Sequence, residues 1–302
     1  MGADFGEVVW DEAAEEDCRQ LVRLTIREDL GRLYDWTTVA LVPEAAQGSA
    51  VVRARRAGVI AGIPAAQLAL AEYDPQLVWS SAIVDGQHVE AETAIATVSG
   101  LARNLLTAER TALNLLSRLS GIATLTASFV EAVAATKARI YDTRKTTPGW
   151  RRLEKYAVRA GGGRNHRLGL FDGILIKDNH LAFGAQDARY SPAAAIDRCR
   201  EVVASLAAGA SVPIEIEVDS LEQFDEVLPR QPDIVLLDNM SLGELREAVA
   251  RRGARFPSVQ LEASGGVNLQ AVAAIAATGV DRISVGALTH SATWLDIGLD
   301  WS

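Results

Sequence analysis

From residue 138 onward, short apolar runs alternate with spacers long enough to hold a helix. The runs are Ala138–Thr143, Gly173–Lys177, Pro213–Asp219, Asp233–Asp238, Val259–Ser264 and Asp281–Gly286. Strands spaced this way cannot close into hairpins and need crossover connections, so the rhythm predicts βα units around a parallel sheet. Each run ends in polar or charged residues: Arg144-Lys145, Lys177-Asp178, Glu217 to Asp219, Asp238-Asn239, Ser264-Gly265-Gly266 and Ser284 to Gly286. Ligands of parallel α/β folds collect at the carboxyl ends of the strands. Six polar ends would therefore converge on one mouth. An α/β barrel of fewer than eight strands is the preferred closure, with a doubly wound sheet as the alternative.

The first third of the chain reads differently. Leu21, Val22, Leu24 and Thr25 alternate with charges and predict a helix over 11–30. Ser49–Arg56 and Val59–Ile63 flank Ala57-Gly58, which predicts two paired strands with a turn between them, and Ile83–Ala96 looks like more sheet. These features suggest a small α+β domain over 1–105. A long helix over 102–135 follows, marked by Leu105, Leu106, Ala112, Leu113, Leu116, Leu119 and Ile122 at three- and four-residue steps.

Of the 302 residues, 30 are Lys or Arg and 39 Asp or Glu, giving net charge −9. That balance argues against nonspecific binding to nucleic acid or an anionic membrane. No uninterrupted apolar run is long enough to cross a bilayer, and the first residues are acidic where a signal peptide would be basic and then apolar. Cys18 and Cys199 lie far apart with no CxxC or CxxH pattern, which fits a reducing compartment. The expectation is a soluble cytoplasmic protein.

Charge is unevenly distributed. Between Arg139 and His180 ten basic side chains face four acidic ones, so a positive island sits in a negative chain. Arg144, Lys145 and Lys177 terminate predicted strands instead of lying on a helix surface, which favours a funnel for a compact polyanion over a solvated face. Within the island, Gly161-Gly162-Gly163 could bring backbone N–H groups to an anion, although a glycine triplet is more often a flexible loop. His166, flanked by Arg164 and Arg167, is a candidate for holding a carboxylate.

A second constellation is acidic. The two-residue period of a strand puts Glu215, Glu217 and Asp219 on one face, with Ile214, Ile216 and Val218 on the other. Unpaired carboxylates inside a barrel are costly, so Lys145, Lys177 or a divalent metal must meet them. Asp238 could add an oxygen ligand, and such a set suits Mg²⁺ shared with a phosphorylated substrate. An internal ion-pair network is the alternative. A third pair of segments, Ser264-Gly265-Gly266 and Val285-Gly286-Ala287, follows the last two strands, where loops commonly bind phosphate through backbone N–H groups. There is no GxSxG, HExxH, GxxxxGK[ST] or strand-anchored GxGxxG, and His88, His166, His180 and His290 are too scattered for a transition-metal site.

Read together, these segments resemble the quinolinate phosphoribosyltransferase family. The resemblance is carried by Glu109-Arg-Thr-Ala-Leu-Asn, Asp142-Thr-Arg-Lys-Thr-Thr-Pro-Gly, Glu154-Lys-Tyr-Ala-Val, Gly161-Gly-Gly-Arg-Asn-His-Arg, Leu175-Ile-Lys-Asp-Asn-His, Glu215-Ile-Glu-Val-Asp, Leu237-Asp-Asn-Met, Glu262-Ala-Ser-Gly-Gly and Ser284-Val-Gly-Ala-Leu-Thr-His-Ser. The segment Arg27-Glu-Asp-Leu-Gly-Arg-Leu-Tyr-Asp-Trp-Thr-Thr is similar to the family's EDxGxGDxT, with Tyr34 where a glycine is usual. The resemblance implies an N-terminal α+β sandwich domain (1–115), a partly open parallel α/β barrel (116–288), and a C-terminal tail (289–302) packing back on the first domain.

It also implies a reaction. Quinolinate and phosphoribosyl pyrophosphate, with Mg²⁺, give nicotinate mononucleotide, pyrophosphate and CO2. Quinolinate-binding positions fall on Arg110, Thr143, Arg144, Lys145, His166, Arg167 and Lys177. Phosphoribosyl positions fall on Glu217, Asp238, Ser264, Gly265, Gly266, Val285, Gly286 and Ala287. Lys145, Glu217 and Asp238 are the candidate catalytic residues, the latter two also candidate Mg²⁺ ligands. A homodimer, or a hexamer of such dimers, would bring Arg110 to the neighbouring subunit's site. The runner-up is a related enzyme acting on nicotinate or another ring acid without decarboxylation. A Schiff-base lyase using Lys145 or Lys177 is disfavoured, because lysines crowded by carboxylates stay protonated. A scaffold protein would not keep polar strand ends.

Overall fold

The alternating pattern becomes a six-stranded parallel sheet in the computed structural model, which describes residues 4–183, 190–206 and 212–301. In chain order the elements are α1 (Glu12–Leu30), α2 (Trp36–Leu41), β1 (Gln47–Ala54), β2 (Gly58–Val59), α3 (Ile63–Tyr73), β3 (Val78–Ser81), β4 (His88–Val89), β5 (Ala94–Leu101) and α4 (Ala102–Val133). The parallel strands and their helices follow: β6 (Arg139–Tyr141), α5 (Arg151–Ala160), β7 (Ile174–Ile176), α6 (Asp178–Phe183), α7 (Pro192–Leu206), β8 (Ile214–Val218) and α8 (Leu221–Val227). The chain ends with β9 (Ile234–Asp238), α9 (Leu242–Arg252), β10 (Gln260–Ser264), α10 (Leu269–Ala276), β11 (Arg282–Ser284), α11 (Ala287–His290) and β12 (Ile297–Trp301).

These elements form two compact units that interleave along the chain. One comprises Met1–Glu7, Ser128–Arg144 and Arg164–Ala287; the other Val8–Ala127, Lys145–Gly163 and Leu288–Ser302. A cut at 115/116 would leave 145–163 with the parallel sheet, whereas α5 and its flanks belong to the other unit. Sequence periodicity marks elements but cannot tell which core a helix joins.

In the first unit the strand order is β6-β11-β10-β9-β8-β7, with β6 and β7 at the two edges. This is the open, fewer-than-eight-stranded arrangement. The strands are buried on both faces, as parallel strands between helices must be: Ile234, Val235 and Leu237 are completely buried, as are Ile216, Leu261 and Ile283. Helix starts are set by short polar side chains. Ser220, Ser241 and Asn268 accept N–H bonds from Gln223, Glu244 and Ala271, and Glu244 completes a capping box with Ser241.

The second unit holds an antiparallel sheet of order β12-β1-β5-β3 and a small β2-β4 pair. The hairpin expected across Ala57-Gly58 does not form. Both edges of β1 are taken by β5 and β12, with Ala50 opposite Val98 and Trp301, while β2 pairs with β4. A turn signal is local, but β1's inward residues Ala50, Val52 and Ala54 are buried against distant partners, and that burial decides the pairing. The strand expected to reach residue 63 gives way at Gly62 (φ +99°) to α3, whose first N–H groups are held by the Asp85 carboxylate.

Helix α4 is long and apolar enough to span a bilayer by composition, but 61% of its most apolar 18-residue window is buried inside the protein. Its glycine explains one close contact. A Cβ on Gly121 would lie 2.2 Å from the carbonyl oxygen of Thr293, and the Leu295 N–H bonds Ser117 O nearby. Helix propensity alone favours Gly121→Ala by about 1 kcal/mol. Collision with an immovable carbonyl reverses the sign, so urea unfolding should report a net loss of at least about 1 kcal/mol.

Candidate active site

The register of the parallel sheet decides which side chains share a face. Glu217 lies beside Leu236, Leu236 beside Glu262, Asp238 beside Ser264 and Glu262 beside Arg282. Paired residues point to the same side and the strand period is two, so Glu217, Asp238 and Ser264 line one face at the carboxyl ends. Lys177, directly after β7, pairs with the Glu217 carboxylate. Asp238 accepts an N–H bond from the side chain of Asn239 at 2.7 Å.

The three acidic residues of β8 meet three different fates. Glu217 takes Lys177. Asp219 is exposed, its N–H donated to Gln223 Oε1. Glu215 is completely buried beside His166, whose Nε2 lies 2.8 Å away. Behind it, Glu262 accepts from Arg282 Nε at 2.6 Å, and Arg282 Nη1 reaches Asp4 at 2.6 Å. The Arg282 guanidinium also covers the Tyr141 ring at 3.6 Å. His166, Glu215 and Glu262 hold their ligand atoms within 4.8 Å of one another, a spacing that would suit a cation. Arg282 already supplies that positive charge, so this layer is an internal ion-pair network. Burial holds the Glu215 carboxyl above its usual range.

The cationic side of the site rests on Asp142. This fully buried carboxylate follows β6 and accepts from Asn165 Nδ2 at 2.7 Å and the His166 N–H at 2.8 Å. Arg164 meanwhile bonds β6 in parallel through its N–H to Ile140 O. The segment 164–167 is thereby laid along the edge of the sheet. His166 is buried with both ring nitrogens engaged, since Nδ1 accepts the Arg167 N–H at 2.8 Å.

The Arg167 side chain donates to Gly173 O at 3.1 Å. Its pKa is pushed down, first by burial and then by the neighbouring Arg144 guanidinium. Glu215 and Asp172 act in the opposite sense on the same guanidinium. Thr143 and Arg144 are half-buried next to Asp142 in the chain.

The glycine motifs divide. The Gly161–Gly163 triplet does not present its N–H groups to a ligand; they return to Ala157, Arg159 and Val158 carbonyls as the end of α5. Cβ atoms at Gly161 and Gly163 would meet Ala123 O at 2.4 Å and Thr126 Cγ2 at 2.7 Å, so these glycines serve packing. Gly265 and Gly266 are exposed beyond β10 with φ +99° and +57°, and a Cβ at Gly265 would strike Asn239 Oδ1 at 2.1 Å. There the backbone must be glycine to pass the β9 loop. Val285 extends β11, giving its N–H to Tyr141 O, and Gly286 and Ala287 follow into α11.

Arg110 and Lys145 belong to the other unit, where both side chains are exposed. Lys145 is steadied through its carbonyl, which accepts from Thr289 Oγ1 at 2.8 Å. The loop after it is held by Glu154, fully buried, which accepts from the Thr147 N–H and hydroxyl and from Arg118 at 2.6 Å. Sequence reasoning singled out neither Asp142 nor Arg118 as a support, because a buried polar clamp carries no periodic signal.

Comparison with known proteins identifies the family. The family models described as quinolinate phosphoribosyl transferase, C-terminal domain and N-terminal domain match residues 122–300 and 35–120. The chain is 48% identical over 285 residues to a carboxylating nicotinate-nucleotide pyrophosphorylase of Mycobacterium leprae, covering 93% of this chain and 96% of that one. A mitochondrial decarboxylating quinolinate phosphoribosyltransferase of Nicotiana tabacum is 38% identical over 300 residues, 94% of this chain and 82% of its own length. Among solved structures, the nicotinate-nucleotide pyrophosphorylase of Francisella tularensis superposes over 100% of both chains with TM-score 0.87 at 34% identity. The chain belongs to the quinolinate phosphoribosyltransferase family.

Proposed function

We propose that this chain transfers phosphoribosyl from phosphoribosyl pyrophosphate to the ring nitrogen of quinolinate, with loss of CO2, to give nicotinate mononucleotide and pyrophosphate in de novo NAD synthesis. The observation that carries this reading is the match of the quinolinate phosphoribosyl transferase family models to residues 35–120 and 122–300, with a buried Arg167 anchored through both its N–H and its side chain. A planar dianion with adjacent carboxylates matches two guanidinium forks, and a monoacid would leave one fork unsatisfied. Thr143, His166 and Lys177 complete the quinolinate side, His166 by holding the Arg167 backbone.

Glu217, Asp238, Ser264, Gly265 and Gly266 form the phosphoribosyl side, joined by Val285, Gly286 and Ala287. Glu217 and Asp238 are half-buried hard oxygen donors on one face of the sheet, a donor set that fits Mg²⁺. When bound, Mg²⁺ would offset the charge developing on the pyrophosphate leaving group.

The residues then divide the work. As pyrophosphate departs, ribose C1 becomes oxocarbenium-like, and the carboxylates of Glu217 and Asp238 hold the sugar hydroxyls and stabilise the positive charge. The quinolinate nitrogen attacks C1. Its new positive charge stabilises the electron pair left on the adjacent ring carbon when that carboxylate leaves as CO2, and a proton from solvent then takes that position. Lys145 stabilises charge near the reacting centre. Arg144 and Arg167 hold the ring dianion in place for attack, and the second carboxylate stays because its carbon is not next to the ring nitrogen.

We assign the active assembly as a homodimer, with Arg110 serving the neighbouring subunit. Supporting this, Leu33, Tyr34, Trp36 and Leu41 are 62%, 65%, 64% and 76% exposed, an apolar cluster unusual on an isolated chain. The free thiols Cys18 and Cys199 accord with a cytoplasmic location.

Incubation with carboxyl-labelled quinolinate, phosphoribosyl pyrophosphate and Mg²⁺ should release one labelled CO2 per mononucleotide, and nicotinate should give no product. Mononucleotide without labelled CO2 would refute the reading. Arg144→Ala should lower kcat/KM for quinolinate by at least about 100-fold, roughly 3 kcal/mol, because it strands a buried carboxylate; an unchanged value would remove Arg144 from the site. Glu217→Gln and Asp238→Asn should instead raise the concentrations of Mg²⁺ and phosphoribosyl pyrophosphate needed for half-maximal rate, leaving quinolinate binding nearly intact. Mixing inactive Arg110→Ala and Arg144→Ala proteins should restore partial activity if the site is shared across a dimer, and restore none if each chain works alone.

A further inference from the structure

Arg167 is held at two points, its N–H by His166 Nδ1 and its Nη1 by Gly173 O. Both holders touch the same side chain, 160 residues away in sequence. The Phe5 ring lies against the His166 imidazole with centroids 4.5 Å apart at 31°. It also passes Gly173 so closely that a Cβ there would sit 2.4 Å from Phe5 Cε1. Gly173 does not adopt a left-handed backbone, so the absence of its side chain serves the ring and not the chain path.

Phe5 is itself fixed from both sides. Asp4 accepts from Arg282 Nη1 at 2.6 Å and from the Tyr141 hydroxyl at 3.0 Å, while Glu7 pairs with Arg164. The ring is 5% exposed.

We propose that Phe5 is a positioning residue for Arg167: a wedge between His166 and Gly173 that sets where the guanidinium points, and hence how tightly quinolinate is bound. The inference rests on the reading of Arg167 as a quinolinate ligand. A segment remote in sequence thereby becomes part of the specificity apparatus, acting through packing and not by touching substrate. Arg167 pays for burial beside another cation only while both holders stay put.

The test compares Phe5→Ala, Gly173→Ala, their double variant and Phe5→Leu, reading both Michaelis constants, kcat, melting temperature and the calorimetric Kd for quinolinate alone. Phe5→Ala removes the wedge, and Gly173→Ala displaces it. Each should weaken quinolinate binding about tenfold, the order of one hydrogen bond to a charged group, with the KM for phosphoribosyl pyrophosphate changed by less than about twofold. The double variant should be no worse than either single one, since the space vacated by the ring accepts the new methyl. Phe5→Leu should recover most of the affinity.

Parallel loss of kcat and both Michaelis constants, additive losses in the double variant, or a lowered melting temperature with unchanged quinolinate Kd would each overturn the wedge. If the unsubstituted protein fails to bind quinolinate, the activity reading falls instead, and the non-additivity of the two substitutions in melting temperature then decides whether the wedge exists.

Discussion

The burial of one guanidinium, that of Arg167, is the constraint on which the candidate site depends. Arg167 is 8% exposed and its ionisation is opposed both by burial and by Arg144. The backbone around that buried guanidinium is held at several points. Asp142 fixes Asn165 and His166, His166 fixes the Arg167 N–H, and Gly173 O takes part of the guanidinium. That scaffold fixes where the Arg167 guanidinium sits.

The carboxylates on the neighbouring strands each have a partner of their own. Glu262 goes to Arg282, Glu215 to His166 and Glu217 to Lys177. The first two are completely buried; the third lies nearer the carboxyl end of β8 and is partly exposed. Along a single strand, then, two residues of rise separate a structural carboxylate from one open to solvent and ligand. Depth within the sheet, and not residue type, assigns the role.

Depth is also what the sequence could not express. The six parallel strands, the long α4 and the polar strand ends were all legible, because periodicity and helix-length spacing are set by the same burial that forms them. The alternation placed Glu215 and Glu217 on one side of β8, as the register shows, while Asp219 falls beyond the strand; period two says nothing about how far along the sheet each sits. Identical reasoning explains the glycines. Gly161–Gly163 and Gly265-Gly266 look alike as text, yet the first ends α5 against Ala123 O while the second passes Asn239 at a strand end. The failed hairpin at Ala57-Gly58 belongs to the same class: a local turn signal yielded to long-range partners on both edges of β1.

Residues that support without touching ligand are the least visible of all. Asp142, Glu154 and Arg118 have no motif of their own apart from the resemblance, and each works by satisfying donors or acceptors that folding buries. Removing such a clamp leaves an orphaned polar group, which is costlier than losing an ordinary contact. The cost falls on a loop that carries a functional side chain: Asp142 on the segment leading to Arg167, Glu154 on the loop following Lys145. In this fold the precision of the ligand-facing cations is inherited from buried carboxylates, so the acidic excess of the chain and its basic site are two sides of one electrostatic arrangement.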